Sequence, residues 1–379
     1  MIGLIPKLNI KYTLFEVFRS RIHLFRNELK TDENVFYMNH ARTGLRLALS
    51  ALNLPTNAKV GVTAFNCYTV MHAVKSAGYT IEFIDVKEDF LIDFDDLQQK
   101  QGKISALIIT HLFGHVNDVE RIKCICPNIP IIEDCAHAYL ASSEKGAAGC
   151  FGDVSIFSIG QGKFPSVGDG GYLVVNNQEL KPDILSQFAK LPSNPMYKNV
   201  FSVFKCVVLS VLHHPVLYKY FTKPILKERF NSNIDISKYE NKESLMLRVN
   251  YALLMYKRDF VINYLNRQKE NYKSISNTMH KSISHKSGIT WTDNPNSNGF
   301  IFPLLVDNRD VFISHFIQHG IEVGSHFSKS IDWALCFGYT MGKCPKVEQM
   351  VTKIVVIPCH YNLKKKDVKL INNIILQYE

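Results

Sequence analysis

The chain has no run of about 18 consecutive apolar residues, so the sequence predicts no helix that spans a bilayer. Its opening stretch, MIGLIPKLNIKYTLFEVFRSR, carries charges and a proline where a signal peptide needs an uninterrupted apolar core. The expected location is therefore the cytoplasm. Nine cysteines are scattered without a repeated framework, and they are read as reduced thiols. Cys124 and Cys126 are too close for a CxxC clamp. His111 and His115 are four apart, but Leu112 stands where an HExxH site needs glutamate. No metal site is expected. The formal charge is +10, yet no helix-turn-helix, zinc-finger or RNA-binding pattern accompanies it. Nucleic acid is not an expected partner; a polyanionic small substrate suits the charge.

What is present is an ordinary globular balance, 379 residues with 46% hydrophobic and 21% charged. That is length enough for two domains. Strand and helix patterns alternate from Val35 to Val175, which predicts an α/β fold with a mainly parallel sheet. Lys59–Val86 reads as strand, helix, strand, with Gly78 ending the helix. Ile104–His115 starts as a strand buried on both faces. Leu45, Leu47, Ala48, Leu49 and Leu52 give a helical apolar face that begins at the turn Ala41-Arg42-Thr43-Gly44. Free N–H groups at such a helix start favour a phosphate.

The most informative stretch is Ile131–Asn177, IIEDCAHAYLASSEKGAAGCFGDVSIFSIGQGKFPSVGDGGYLVVNN. Acid ends one apolar run, at Glu133 and Asp134. Lysine follows the next, at Lys163, and glycines surround both. Carboxylates at strand ends in an open α/β sheet face the crevice where ligands bind. A buried lysine has a lowered pKa and can bond to an aldehyde. Lysine plus aspartate is the pair expected around pyridoxal 5'-phosphate, PLP. On these two residues alone, a solvated loop lysine and a helix N-cap aspartate is the competing reading.

The blocks IEDCAHAYLA, KGAAGCFGD, FSIGQGK and GDGG, in that order, resemble the DegT/DnrJ/EryC1/StrS family of PLP-dependent nucleotide-sugar aminotransferases. The resemblance implies fold-type I of the PLP-dependent transferases: a large PLP-binding domain, 1–265, and a smaller C-terminal α/β domain, 266–379. It implies that Lys163 bonds to the cofactor and that Asp134 pairs with its ring nitrogen. It places His137 near the 3′-oxygen and Ser158, Arg42 and Thr43 on the phosphate. Tyr68, beside Cys67, is the residue read as stacking on the ring. Two positions depart from the family pattern: Asp169 replaces a glutamate and Leu140 a glycine. The segment 180–240 is atypical, and LRVNY stands where the family has Gly-x-Asn-x-Arg, so Arg248 and Asn250 carry over poorly. Ile321–His326 and VVIPCHYNL resume the resemblance.

The activity implied is transfer of an amino group from an amino acid, glutamate by the resemblance, to a keto-sugar on a nucleotide, for surface polysaccharide or other amino-sugar synthesis. A sugar dehydratase of the same family is an alternative, although those replace the lysine by histidine. A catalytically silent binding protein on the same fold is another. The resemblance also implies a homodimer with active sites near the interface. The apolar Val200–Tyr220 is expected to cover the active site or pack on a partner subunit, with contact to a membrane surface as the reading not favoured. Glu243–Ser274 reads as one long helix.

Overall fold

The computed structural model describes residues 3–8, 12–13, 15–20, 33–224, 240–282 and 288–378. Residues 225–239, the end of the atypical 180–240 segment, lie outside the described residues. Seven short β-rich runs form one sheet: β1 (Val35–Met38), β2 (Lys59–Thr63), β3 (Thr80–Ile84), β4 (Ala106–Thr110), β5 (Ile131–Asp134), β6 (Val154–Ser158) and β7 (Gly171–Val175). Their order is β1-β7-β6-β5-β4-β2-β3. Strands β2 to β6 are parallel; β7 runs antiparallel between β6 and β1. Every residue of β4 is buried, as a strand covered on both faces requires. Side chains alternate between faces. Ile108, Ile132 and Ile156 join Leu45, Leu47 and Val74 on one side. Leu107, Ile109 and Ile131 join Leu97, Val119 and Ile122 on the other.

Helices α1 (Ala41–Ala51), α2 (Tyr68–Ser76), α3 (Phe94–Lys100) and α4 (Val119–Ile125) cover these faces, and α5 (Lys181–Phe188) follows the last strand. Next comes α6 (Met196–Leu212), then α7 (Pro215–Thr222), bent from it by 82°. Among the described residues no single helix is long and apolar enough to cross a membrane. The expected long helix is two, α8 (Arg248–Arg258) and α9 (Val261–Ser282). Asp259, an unfavourable helix-interior residue, stands at the break, where the Phe260 N–H turns to Lys257 O at 3.1 Å.

A three-stranded antiparallel sheet, β8 (Ile289–Thr290), β9 (Ile301–Val306) and β10 (Ile354–Pro358), forms the C-terminal part. It packs on Tyr272, Ile275 and Met279 of α9 and on the last helix, Lys365–Gln377. The expected division at residue 265 falls inside α9. A shared apolar cluster, including Phe65, Phe113, Phe164, Phe300 and Val356, joins the two sheets. The architecture is the α/β fold expected, a mixed, mainly parallel sheet with a small C-terminal sheet.

Candidate active site

Strand β5 ends in two acids that alternate to opposite faces. Glu133 turns into the protein. Its Oε1 accepts the N–H groups of Phe151 at 2.7 Å and Gly152 at 2.5 Å, and its Oε2 that of Gly149 at 2.9 Å. The fully buried His111 Nε2 lies 2.9 Å from the same carboxylate. His111 Nδ1 accepts the Asn117 N–H at 3.0 Å, so the proton sits on Nε2 and is donated to Glu133. Burial pushes Glu133 up, but His111 and the backbone donors outweigh it and hold its carboxyl below the usual range. His111, Glu133 and Cys135 bring ligand-type atoms within 4.8 Å of one another. Their lone pairs are already spent on these bonds, and burial holds the Cys135 thiol protonated.

Asp134 faces the crevice at the carboxyl edge of the sheet. It is buried, and its Oδ1 accepts only the Ala136 N–H, at 3.0 Å, among the hydrogen bonds of the described residues. Burial raises its pKa, while the Ala136 N–H, Lys163 and His111 act against that rise. Lys163 sits in the loop after β6, half-buried, its N–H on Gly160 O at 3.1 Å. Burial lowers its pKa, with Cys67 and Asp134 opposing. An acid pushed up beside a lysine pushed down, in one cleft, marks a site built for chemistry.

His137 follows β5 by three residues and is buried, yet among the described residues its Nδ1 has no hydrogen-bond partner. Burial, then Lys163 and His326, keep its imidazole neutral. Its ring lies nearly parallel to Phe327 at 5.6 Å, with Phe300 at 4.8 Å and His326 at 5.7 Å. His326 is pushed down to about 3 by burial, Lys7 and Lys163. Asn298 Nδ2 donates to the carbonyls of His137 and Tyr139, each at 3.0 Å, and fixes this loop.

Ser158 ends β6 opposite Gly171, and Gly171 also pairs with Met38 at the end of β1. A Cβ on Gly171 would lie 2.2 Å from Ala41 N, so glycine is what lets β7 start against the first residue of α1. Asp134, Ser158 and the start of α1 therefore share one sheet edge. There Thr43 Oγ1 donates to Asn39 Oδ1 at 3.0 Å, and Arg42 Nε donates to Asn241 Oδ1 at 2.9 Å. A cavity of about 300 Å³ opens beside them, lined by Asn39, His40, Asp169, Lys242 and Asn250. Asp169 pairs with Lys205 at 2.7 Å, and Asn250 Nδ2 donates to its carbonyl at 2.6 Å. Tyr68 meets Trp333 edge-on at 5.5 Å, while its neighbour Cys67 is the residue within electrostatic reach of Lys163.

Sequence reasoning missed His326 and Asn298 as site residues. They lie far along the chain, and only the VGSH run of the resumed resemblance pointed at His326. Leu140 has φ +56°, the left-handed conformation its glycine counterpart adopts freely. Leucine holds this conformation at a steric cost of about 1–2 kcal/mol. Leu140→Gly is expected to stabilise the fold by about 0.5–1 kcal/mol, after the greater freedom of unfolded glycine is deducted. Thermal unfolding checks this. A lower melting temperature would mean that the half-exposed side chain holds more than the strain takes away.

The residues present fit PLP: an amine, a carboxylate for a ring nitrogen, a buried imidazole nitrogen without a partner, and a hydroxyl and helix start for a phosphate. Comparison with known proteins agrees. Residues 24–195 match the model of the DegT/DnrJ/EryC1/StrS aminotransferase family. The chain is 32% identical to GDP-perosamine synthase of Escherichia coli O157:H7 over 166 residues, 42% of this chain and 46% of that enzyme. That alignment thus spans less than half of the relative. A longer one, 24% identical over 356 residues, links it to UDP-4-amino-4,6-dideoxy-N-acetyl-beta-L-altrosamine transaminase of Campylobacter jejuni subsp. jejuni serotype O:23/36 (strain 81-176), covering 89% and 83%. The putative sugar aminotransferase Spr1654 of Streptococcus pneumoniae, solved in PMP form, shares the fold. Its TM-score is 0.74 at 17% identity, over 98% of each chain.

Proposed function

The chain belongs to the DegT/DnrJ/EryC1/StrS aminotransferase family, and from that premise we propose that it moves an amino group from an amino acid, glutamate first, to a keto-sugar carried on a nucleotide. The observation that carries this reading is that Lys163 and Asp134, both buried-site groups shifted toward neutrality, act on each other electrostatically, near a His137 Nδ1 with no hydrogen-bond partner among the described residues. PLP supplies an electron sink that makes the donor's α-proton acidic. Lys163 would hold the cofactor through its Nζ, and as a free amine that Nζ would carry the proton at the donor's α-carbon. Its lowered pKa favours the neutral amine that this step needs. Asp134 keeps the pyridine nitrogen protonated by ion pairing. His137 Nδ1 is the group for the ring's 3′-oxygen, and Ser158, Arg42, Thr43 and the start of α1 are those for the phosphate. His137 and His326, held neutral, leave Lys163 and the substrate as the changing charges. The nucleotide-linked acceptor accords with the excess of basic residues and with the relatives' names. The reading includes a homodimer in the cytoplasm.

The test is the visible absorbance of the purified protein loaded with PLP, before and after glutamate. Bleaching by glutamate, restored by a nucleotide-linked keto-sugar, is the expected result. A spectrum that glutamate leaves unchanged, in a protein that binds PLP, removes glutamate as donor. Failure to bind PLP at all sinks the whole reading.

A further inference from the structure

We propose that α6 and α7 dock this protein on an anionic lipid surface. Helix α6 is inverted: its buried residues are Ser202 and Cys206, while six of its large apolar residues point outward. Met196 is 70% exposed, Tyr197 68%, Val200 67%, Phe201 64%, Phe204 64% and Val211 56%. At 100° per residue, these six fall within one arc of about 140°. Water is a poor neighbour for so continuous an apolar face. Past the 82° bend, Tyr220 and Phe221 are also exposed, and Lys219 Nζ stands over the Tyr220 ring at 5.3 Å.

Charge decides what covers the face. Among the described residues from Ile184 to Pro224 the chain has no acid and five lysines: Lys190, Lys198, Lys205, Lys219 and Lys223. A second copy whose two-fold axis ran through this patch would set lysine against lysine, and Asp169 is already held by Lys205. An anionic bilayer answers both needs. Aromatic and aliphatic side chains enter the headgroup boundary, and lysines meet the headgroup charge. The pair is bent, and no single described helix is long and apolar enough to cross, so the helices lie in the plane of the surface. The docked face connects to the cleft through Lys205–Asp169 at 2.7 Å and Ser202–Asn250 at 2.9 Å. The inference does not depend on the proposed transamination.

The experiment is flotation of the full chain with vesicles of phosphatidylcholine, with and without phosphatidylglycerol, at low and high salt. Expected is partition onto the anionic vesicles at least about tenfold above the neutral ones, weakened by salt. The double variant Phe201→Asp, Phe204→Asp should lower that partition at least about tenfold and leave glutamate-dependent bleaching intact. No flotation of the wild type, or equal flotation with both vesicle types at either salt, overturns the proposal. So does a wild-type dimer that does not float and that the double variant converts to monomer in sedimentation, since a second copy would then own the face.

Discussion

Lys163→Ala is expected to abolish both turnover and the visible absorbance of a covalently held cofactor. Among the described residues that act on Lys163 electrostatically, none offers a second amine. Asp134 is an acid, His137 and His326 are imidazoles held neutral, and the Cys67 thiol makes no comparable bond. Loss of a positioned general base alone costs about 10²–10⁴-fold in rate. Loss of the covalent route adds to it. Single-turnover kinetics with glutamate and the spectrum of PLP-loaded protein, wild type against variant, give the answer. Unchanged absorbance and undiminished turnover would remove Lys163 from the chemistry.

Asp134→Asn is expected to slow the half-reaction with glutamate far more than it empties the site of cofactor. Asparagine keeps a hydrogen bond within reach of the ring nitrogen but not the charge that holds the nitrogen protonated. An unprotonated ring withdraws electrons less well, so the α-proton is harder to remove. Losing one charge-assisted contact costs about 1.5–3 kcal/mol. At about 1.36 kcal/mol per decade this is a loss of about one to two decades in rate. The backbone bond from Ala136 N–H survives the substitution, so the turn after β5 stays in place. A variant that runs the half-reaction at the wild-type rate would make Asp134 a turn cap and misplace the ring.

Much of this was legible in the sequence because it is local. The end of β5, the glycines and Lys163 lie within one stretch, and strand alternation alone predicts which side of the sheet each residue meets. Gly78 ends its helix where expected, at positive φ. What the sequence hid is non-local. Nothing near Glu133 in the chain says that His111 and Gly149 will share its Oε2, or that Phe151 and Gly152 will meet its Oε1. Asn298 and His326 reach the cleft from the other sheet. The outward face of α6 contradicts the rule that a helix buries its apolar stripe, and that rule is all a sequence offers there. The break at Asp259 was likewise invisible, because the helical period runs through it in phase.

Two neighbouring acids with opposite surroundings also give β5 a check on its own alignment. A slip by one residue turns every side chain to the other face. It would push the Glu133 carboxylate into the cleft and leave Asp134, one methylene shorter, to meet the three N–H groups of Gly149, Phe151 and Gly152. His111 would then keep a buried N–H out of reach of its acceptor, at a cost of about 1–3 kcal/mol. The misaligned strand is thus penalised at both acids at once. The placement that survives is the one that delivers Asp134 to the ring.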